Sequence, residues 1–279
     1  MKKYFKLFML MLLVFSYSYA GVMPETDWKV KKLNGKVKSM VKTEYEYDSS
    51  GKLEKTWVTE TYFNEQGYIT DEVQYVDNRL NQSTIYKNNS DGLPIKKDEV
   101  SRRYSYKYEE TKDGNLLVTI KEEYVDKKNF PSLEKITYNK NGKKVHDLLY
   151  SGEELITNDT YIYNKKGNLI EIKDNTLPEN SIKITYNYKA NGDYEKTTDV
   201  ATAKWTYLYD KNGNEKEYIS MIKQGSQGKP KISIYLKFKD ITRDEYGNLT
   251  RNTSVRYDYS KKKESSIYKK LENKYEYYK

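Results

Sequence analysis

One short motif recurs along the chain: an aromatic residue, Asp or Asn, two polar residues, Gly, a polar residue and an aliphatic residue. The clearest copy is Tyr47-Asp48-Ser49-Ser50-Gly51-Lys52-Leu53, and others occupy residues 63–69, 138–142, 163–169 and 209–214. Looser copies end at Gly92, Gly114, Gly192 and Gly247. Successive glycines of this set lie 16 to 34 residues apart. Because a repeat of this length indicates one supersecondary unit used many times, the motif constrains the fold most strongly.

Each copy is predicted to form the turn of a β-hairpin. Asp or Asn begins a type I turn, because its side chain bonds to the backbone two residues further on. The glycine then supplies the positive φ that closes a short loop between two antiparallel strands. The flanking segments alternate in polarity as strands do. The first strand is expected to show two faces, one with Val37, Val41, Tyr45 and Tyr47 and the other with Lys38, Lys42, Glu44 and Glu46.

The sequence therefore predicts an all-β fold, an extended and twisted antiparallel meander of about 14–18 strands built from long hairpins. Residues 1–20 are interpreted as a signal peptide and residues 21–279 as a single β-hairpin repeat domain. Since charged residues occupy alternate positions, one face of the sheet is expected to be largely solvent-exposed.

Tyrosine supplies much of the apolar surface, with 31 residues in a chain of 279. Tyrosine buries a large ring while its hydroxyl stays hydrated, which suits a half-exposed sheet. Leu, Ile and Val are too few for a compact two-layer globule. We therefore expect a thin fold with a shallow core.

The first residues have the pattern of an export signal. Three lysines precede an apolar run over residues 7–15, and Ser18-Tyr19-Ala20 places small residues where cleavage before Gly21 would require them. An uncleaved anchor is the alternative, but the run is shorter than the roughly 20 residues of a spanning helix. The chain has no cysteine. An exported chain without disulfides is typical of a bacterial envelope, so we expect a periplasmic, cell-surface or secreted protein with no transmembrane segment after cleavage.

The motif resembles the tyrosine-aspartate (YD) repeat of the RHS family, Tyr-Asp-x-x-Gly-Arg/Asn-Leu, over most of residues 40–260. The best matches are residues 47–53 and 163–169, followed by 209–214 and 244–249. A weaker resemblance is to bacterial MORN-like repeats. In the RHS family, such repeats form hairpin strips that wind into shells around a secreted effector, or decorate cell surfaces and sometimes bind carbohydrate. This chain is expected to be too short to close a shell, so the resemblance implies a short exported member with hairpin repeats.

Few residues have the pattern of a catalytic or cofactor site. His146 is the single histidine, and it follows a predicted turn. The adjacent pairs Glu109-Glu110, Glu122-Glu123 and Glu153-Glu154 should point to opposite faces of their strands. Residues 210–214 superficially resemble a calcium loop, but a plain hairpin turn explains them. No glycine loop precedes a helix as phosphate binding requires. We therefore expect no enzyme, no cofactor, no metal and no nucleic-acid partner.

The aromatic residues on the strands are the best candidates for binding a ligand. They could stack against sugars or contact a protein, although cross-strand aromatic pairing also stabilises a sheet without any ligand. The candidate binding residues are Trp57, Tyr62, Tyr86, Tyr106, Tyr161, Trp205, Tyr207 and Tyr257. The favoured function is a non-catalytic envelope or surface module that recognises a glycan or a protein through an aromatic sheet face. The alternatives are a structural module that self-associates through edge strands and, less favoured, a carbohydrate-active enzyme.

Overall fold

A computed structural model describes residues 22–125, 131–223, 231–258, 261 and 263–279. The predicted signal peptide, residues 1–20, lies outside the described residues. In the described ranges the chain forms eighteen strands, a short helix α1 (Asp27–Val30) and a 3₁₀ turn (Pro178–Asn180). The strands are β1 (Val37–Tyr47), β2 (Leu53–Phe63), β3 (Ile69–Val76), β4 (Arg79–Asn88), β5 (Pro94–Glu99), β6 (Arg102–Glu110), β7 (Leu116–Tyr124), β8 (Ser132–Tyr138), β9 (Lys144–Ser151), β10 (Glu154–Tyr163), β11 (Leu169–Asp174), β12 (Ile182–Tyr188), β13 (Tyr194–Asp199), β14 (Ala203–Tyr209), β15 (Glu215–Ile222), β16 (Lys231–Arg243), β17 (Leu249–Asp258) and β18 (Lys263–Tyr277).

Every strand pairs antiparallel with its neighbours in sequence, so the predicted all-β fold of hairpins is confirmed. The sheet is not an open meander, however. β1 pairs with both β2 and β18, and its register with β18 runs from Val37↔Tyr277 to Glu46↔Lys269. Strand twist accumulates around the sheet until the first and last strands meet, and closure removes both free edges. The chain is therefore a closed eighteen-stranded barrel.

The repeated motif marks one rim of this barrel. Eight of its nine glycines lie between an even-numbered strand and the next odd-numbered strand, and the ninth, Gly51, lies at the opposite rim. The turn after β2 shows the geometry. The backbone N–H groups of Gln66 and Tyr68 both donate to Oδ1 of Asn64, and Gly67 donates to the carbonyl of Asn64 with φ at +89°. We call the end of the barrel that carries the eight turns the repeat rim.

The two faces of β1 differ from the two faces that the sequence predicted. Met40 of β1 and Tyr194 of β13 line one cavity from separate walls, so the side chains on Met40's face point into the barrel. A bulge between Val37 and Ser39 changes the alternation. Val37 is consequently buried, whereas Val41 shares the outward face of Ser39. The inward face of the rest of β1 carries Lys42, Glu44 and Glu46, which sequence alternation assigned to the face opposite Val37.

The outer face of the barrel is rich in charge. On β6 the outward positions alternate with three inward tyrosines, and the register with β5 identifies the outward positions of that strand. The outward charged residues of the two strands are Lys96, Asp98, Arg103, Lys107 and Glu109. Some of these charges pair along the surface, as Lys107 does with Glu109 at 2.9 Å. The solvent-exposed face that the sequence predicted is thus the outside of the barrel.

Buried apolar residues form two small clusters instead of one central core. One contains Val37, Met40, Phe63 and Ile69, and the other contains Leu116, Val118 and Ile136. Both clusters lie towards the repeat rim, and both are completed by residues that precede β1. These are Trp28 and Leu33 in the first cluster and Val22 in the second. The chain before β1 therefore contributes to both clusters.

Residues 22–34, which we call the N-terminal segment, lie across the repeat rim. The backbone N–H of Trp28 donates to the carbonyl of Gly67, and its indole N–H donates to the carbonyl of Val37 at 2.8 Å. On another part of the rim, Asn34 exchanges two hydrogen bonds with Asn248, at 2.6 and 2.8 Å. Because the turns contacted belong to separate hairpins, the segment covers part of the barrel mouth.

Candidate binding site

Six tyrosines on four consecutive strands form a continuous row on the inner wall. In order along the row they are Tyr186, Tyr188, Tyr194, Tyr209, Tyr207 and Tyr218. Successive ring centroids lie between 4.7 and 6.5 Å apart. Strand register produces this row, because Tyr188 opposes Tyr194, Tyr194 opposes Tyr209 and Tyr207 opposes Tyr218. We call this row the tyrosine ladder.

Exposure differs along the tyrosine ladder, and its fourth ring, Tyr209, is the most buried. Tyr188 is 50% exposed, whereas Tyr209 is 8% exposed. Burial raises the pKa of Tyr209, and the nearby charge of Glu215 raises it further. Burial likewise raises the pKa of Tyr194 and Tyr207, so these phenols stay neutral at physiological pH and keep their hydroxyl protons for hydrogen bonding.

A lysine and a glutamate stand among the ladder residues. Lys196 on β13 opposes Tyr186 on one side and Tyr207 on the other. Burial, followed by the charge of Lys32 in the N-terminal segment, lowers the pKa of Lys196. Burial also raises the pKa of Glu215, although Lys32 and Lys196 act in the opposite direction. The charges of Lys32, Lys196 and Glu215 thus lie within reach of one another beside the middle of the tyrosine ladder.

A cavity of about 700 Å³ lies between the N-terminal segment and the inner wall, and we call it the chamber. Tyr194 and Tyr209 of the tyrosine ladder form part of its lining. The charged lining residues are Lys31, Lys32, Lys42, Arg243 and Glu215, and the amide residues are Asn34, Asn212, Asn214, Asn252 and Asn273. The chamber therefore combines aromatic rings, amides and an excess of positive charge.

The first two rings of the tyrosine ladder, Tyr186 and Tyr188, lie at a gap in the barrel wall. β11 and β12 are in register at Glu171↔Lys183 and Ile172↔Ile182, and the fully described stretch between residues 169 and 188 has no further register pair in this interface. A cavity of about 620 Å³ occupies the gap. Its lining includes Ile170, Ile184, Tyr186, Tyr188, Lys166 and Lys183. The side of the barrel thus opens beside the exposed rings of the ladder.

A separate group of charged residues lies on the inner wall at β8 to β10. Lys144 Nζ is 2.6 Å from Asp147 Oδ2 and 3.9 Å from Glu134 Oε1, and it lies 5.0 Å from the ring centroid of Tyr161. Burial, and then the charge of Asp147, raises the pKa of Glu134. Although burial opposes it, the hydrogen bond with Asp147 raises the pKa of Lys144. Lys144 therefore remains charged and compensates part of the negative charge of Asp147 and Glu134.

The eight candidate binding residues do not form one patch. Six of them point into the barrel from five different strands, while Tyr62 and Tyr257 point outward. The inward residues are Trp57, Tyr86, Tyr106, Tyr161, Trp205 and Tyr207. Tyr207 belongs to the tyrosine ladder, and Trp205 lies two residues before it on the same face. Trp57 donates instead to Glu46 at 3.2 Å. On the outside, Tyr257 packs on Tyr235 with ring centroids 4.8 Å apart.

Of the tyrosine ladder, the sequence candidates include only Tyr207, and they include neither Lys196 nor Lys32. Alternation along one strand places Tyr186 with Tyr188, and Tyr207 with Tyr209, on a shared face. The missing information was the register between strands. The short turns at Gly192 and Gly213 fix that register, so Tyr194 and the residues that flank these turns could have been grouped from sequence.

The remaining sequence candidates have ordinary structural environments. His146 lies on the outer face of β9, where its Nε2 is 2.8 Å from Oδ1 of Asn158. In the turn at residues 210–214, Asp210 accepts hydrogen bonds from the backbone of Asn212 and from both the backbone and side chain of Asn214. Among the described residues, no group of three or more His, Cys, Asp or Glu side chains is arranged to hold a metal ion.

The fold and the site together define a class, a closed eighteen-stranded antiparallel barrel with a tyrosine-lined interior. No family model matches the chain. No curated protein matches it in sequence. In the part of the chain that the structure describes, no helix is long and apolar enough to cross a bilayer.

The solved structures that match the chain include two with low identity. A porin-like protein from Bacteroides uniformis is 12% identical, and the match covers 92% of this chain and 99% of that one with a TM-score of 0.49. The Tc holotoxin pore of Photorhabdus luminescens is also 12% identical, and the match covers 80% of this chain and 16% of that one with a TM-score of 0.29. Neither likeness assigns the chain to a family or gives it a function.

Proposed function

We propose that this chain is a non-catalytic, exported envelope protein that binds a glycan along the tyrosine ladder. The observation that carries the proposal is the unbroken row of six tyrosines on one inner wall. Cross-strand pairing alone would be satisfied by isolated pairs of rings. A row that extends from the gap past the chamber offers in addition a series of ring edges and hydroxyls to an elongated, hydroxyl-rich ligand.

The absence of catalysis is part of the same proposal. The single histidine points outward, away from both cavities, and bonds to Asn158. The inward carboxylates of Glu134 and Asp147 are engaged by Lys144. General acid and base catalysis needs titratable groups that reach the substrate from the site itself. The tyrosine ladder instead offers neutral phenols, which favour binding over reaction.

An aqueous location within the envelope or at the cell surface agrees with the outer face. Arg103 and Lys107 point outward. A basic side chain that faces acyl chains at the midplane of a bilayer costs about 2–4 kcal/mol, so this surface suits contact with water. The repeated YD-like turns agree with an exported hairpin-repeat protein. Closure of the sheet also removes the two edge strands on which self-association through edges depends.

The proposal is tested by comparing an inward with an outward tyrosine. The full chain is applied to a glycan array, together with Tyr207→Ala in the tyrosine ladder and Tyr62→Ala on the outer face, where Tyr62 is 41% exposed. We expect the unmodified chain to bind a subset of glycans and Tyr207→Ala to bind them about tenfold more weakly, because losing one stacking ring costs about 1.4 kcal/mol. Tyr62→Ala should bind as the unmodified chain does.

Two outcomes would contradict the proposal. Binding that is lost with Tyr62→Ala and kept with Tyr207→Ala would place the ligand on the outer face. An array without any bound glycan, combined with capture of a protein from an envelope extract, would make the partner a protein.

A further inference from the structure

Two lysines at the chamber lack a carboxylate partner within the described residues: Lys32 lines the cavity, and Lys196 lies on the wall beside it, opposite Tyr207. Among the described residues, neither Lys32 nor Lys196 lies within 4.0 Å of a carboxylate. The charge of Lys32 lies near enough to Lys196 to lower its pKa, after the larger effect of burial. Lys42, which also lines the chamber, is by contrast paired with Glu44 at 2.9 Å.

Lys196 is half-buried, so keeping its charge close to that of Lys32 has a cost. Burial disfavours a charge unless an opposite charge or hydrogen-bond partners compensate for it. Glu215 offers partial compensation, but burial raises its own pKa, so its negative charge is also disfavoured. A ligand that brings a negative charge between Lys32 and Lys196 would supply the compensation that the chain itself does not provide.

The rest of the chamber suits an anion that is attached to a sugar. Four of the lining residues are cationic and one is a carboxylate. Side-chain amides such as Asn252 and Asn273 line the same space, and they can both donate to and accept from hydroxyl groups. Tyr194 and Tyr209 bring the middle of the tyrosine ladder to the chamber wall.

We propose that the chamber binds an anionic sugar residue, with its carboxylate or phosphate between Lys32 and Lys196 and its ring against Tyr194 and Tyr209. The inference rests on the proposed function, since it names the chemical class of the glycan that the tyrosine ladder would bind. It also gives the N-terminal segment a role in recognition, because Lys32 belongs to that segment. The gap between β11 and β12 is the opening that lies beside Tyr186 and Tyr188 of the tyrosine ladder.

The experiment compares acidic and neutral glycans on two charge-matched variants. The full chain is applied to an array that carries oligogalacturonates, phosphorylated oligosaccharides and the carboxyl-reduced, neutral counterparts of the oligogalacturonates. The test variant carries Lys32→Gln and Lys196→Gln. The control carries Lys87→Gln on the outer face and Lys112→Gln in a turn, which remove the same two charges from exposed positions. Circular dichroism and thermal unfolding verify that each variant is folded.

We expect the unmodified chain to prefer at least one acidic class over its neutral counterpart by about tenfold or more, which corresponds to one well-placed charge interaction. The test variant should lose this preference and keep its weaker binding to neutral glycans. The control variant should keep it. If the double variant does not fold, Lys32→Gln alone, at an exposed position of the N-terminal segment, should still reduce the preference.

The outcomes separate this inference from the proposed function. Equal binding of acidic and neutral glycans, or an acidic preference that survives in the test variant, would overturn the anionic site and leave glycan binding by the tyrosine ladder standing. An array on which nothing binds would overturn both. A preference for phosphorylated over carboxylated members, or the reverse, would identify which anion the chamber takes.

Discussion

Tyrosine has two roles in this chain, and neither is visible from its frequency alone. Some rings complete the small apolar clusters, as Tyr86 and Tyr106 do beside Phe63 and Val118. Others form the tyrosine ladder on a different part of the wall. The abundance of tyrosine predicted a shallow core correctly in physical terms, because an amphipathic ring can be half buried wherever it lies. Which rings would meet depends on strand register, and composition contains no information about register.

Inward tyrosines should make the barrel sensitive to alkali. Burial raises the pKa of Tyr68 to about 12 and that of Tyr275 to about 12. A folded-state pKa above the unfolded value near 10 means that the contribution to stability is fully present below about pH 10 and is lost as the pH rises towards 12. At about pH 11, the native chain should therefore show less phenolate absorbance near 295 nm than the same chain in urea.

The unfolded chain in urea is the control for this titration. Native and unfolded curves that superimpose would show that the tyrosines are not buried in the way described.

At the scale of the element, the repeated turn was predictable and its surroundings were not. The motif specifies the hairpin by itself, because Asp or Asn closes the turn and glycine supplies the positive φ. The long last strand, Lys263–Tyr277, also agrees with the alternation of Tyr275 and Tyr277. In contrast, the bulge between Val37 and Ser39 reverses the alternation of the first strand without any glycine or proline to signal it.

Two turns of equal sequence pattern should respond differently to the same substitution. Gly67 and Gly213 both have positive φ, at +89° and +79°. A Cβ at Gly67 would lie 2.6 Å from the ring of Trp28, whereas a Cβ at Gly213 would have no atom within 4 Å. Gly213→Ala should cost about 1–2 kcal/mol from the left-handed conformation alone. Gly67→Ala should cost about 1–3 kcal/mol more, because the N-terminal segment must move.

Urea denaturation of the two variants measures this difference directly. Equal losses of stability in Gly67→Ala and Gly213→Ala would mean that Trp28 does not pack on the turn after β2.

At the scale of the whole molecule, the strand count and the antiparallel order followed from the sequence, but closure did not. Counting turns gives the number of hairpins, since each copy of the motif joins two strands. Whether the strip closes depends on strand tilt and on the twist summed over all the strands, which no single segment encodes. The chain was expected to be too short to close a shell, yet its hairpins suffice to close a barrel. The candidate site depends on that closure, because the chamber is lined from β1, β13 and β18 together.

The most direct test of the account is a cross-link between the first and last strands. Val41 of β1 opposes Lys274 of β18 on the outer face, and the chain has no cysteine of its own. The variant with Val41→Cys and Lys274→Cys is treated with a short bis-maleimide, and Val41→Cys with Leu208→Cys on β14 is the distant control. A closed barrel predicts rapid intramolecular cross-linking of the first pair and none of the second. Failure of the first pair to cross-link in the folded monomer would contradict closure, and with it the enclosed chamber and the tyrosine ladder as an interior site.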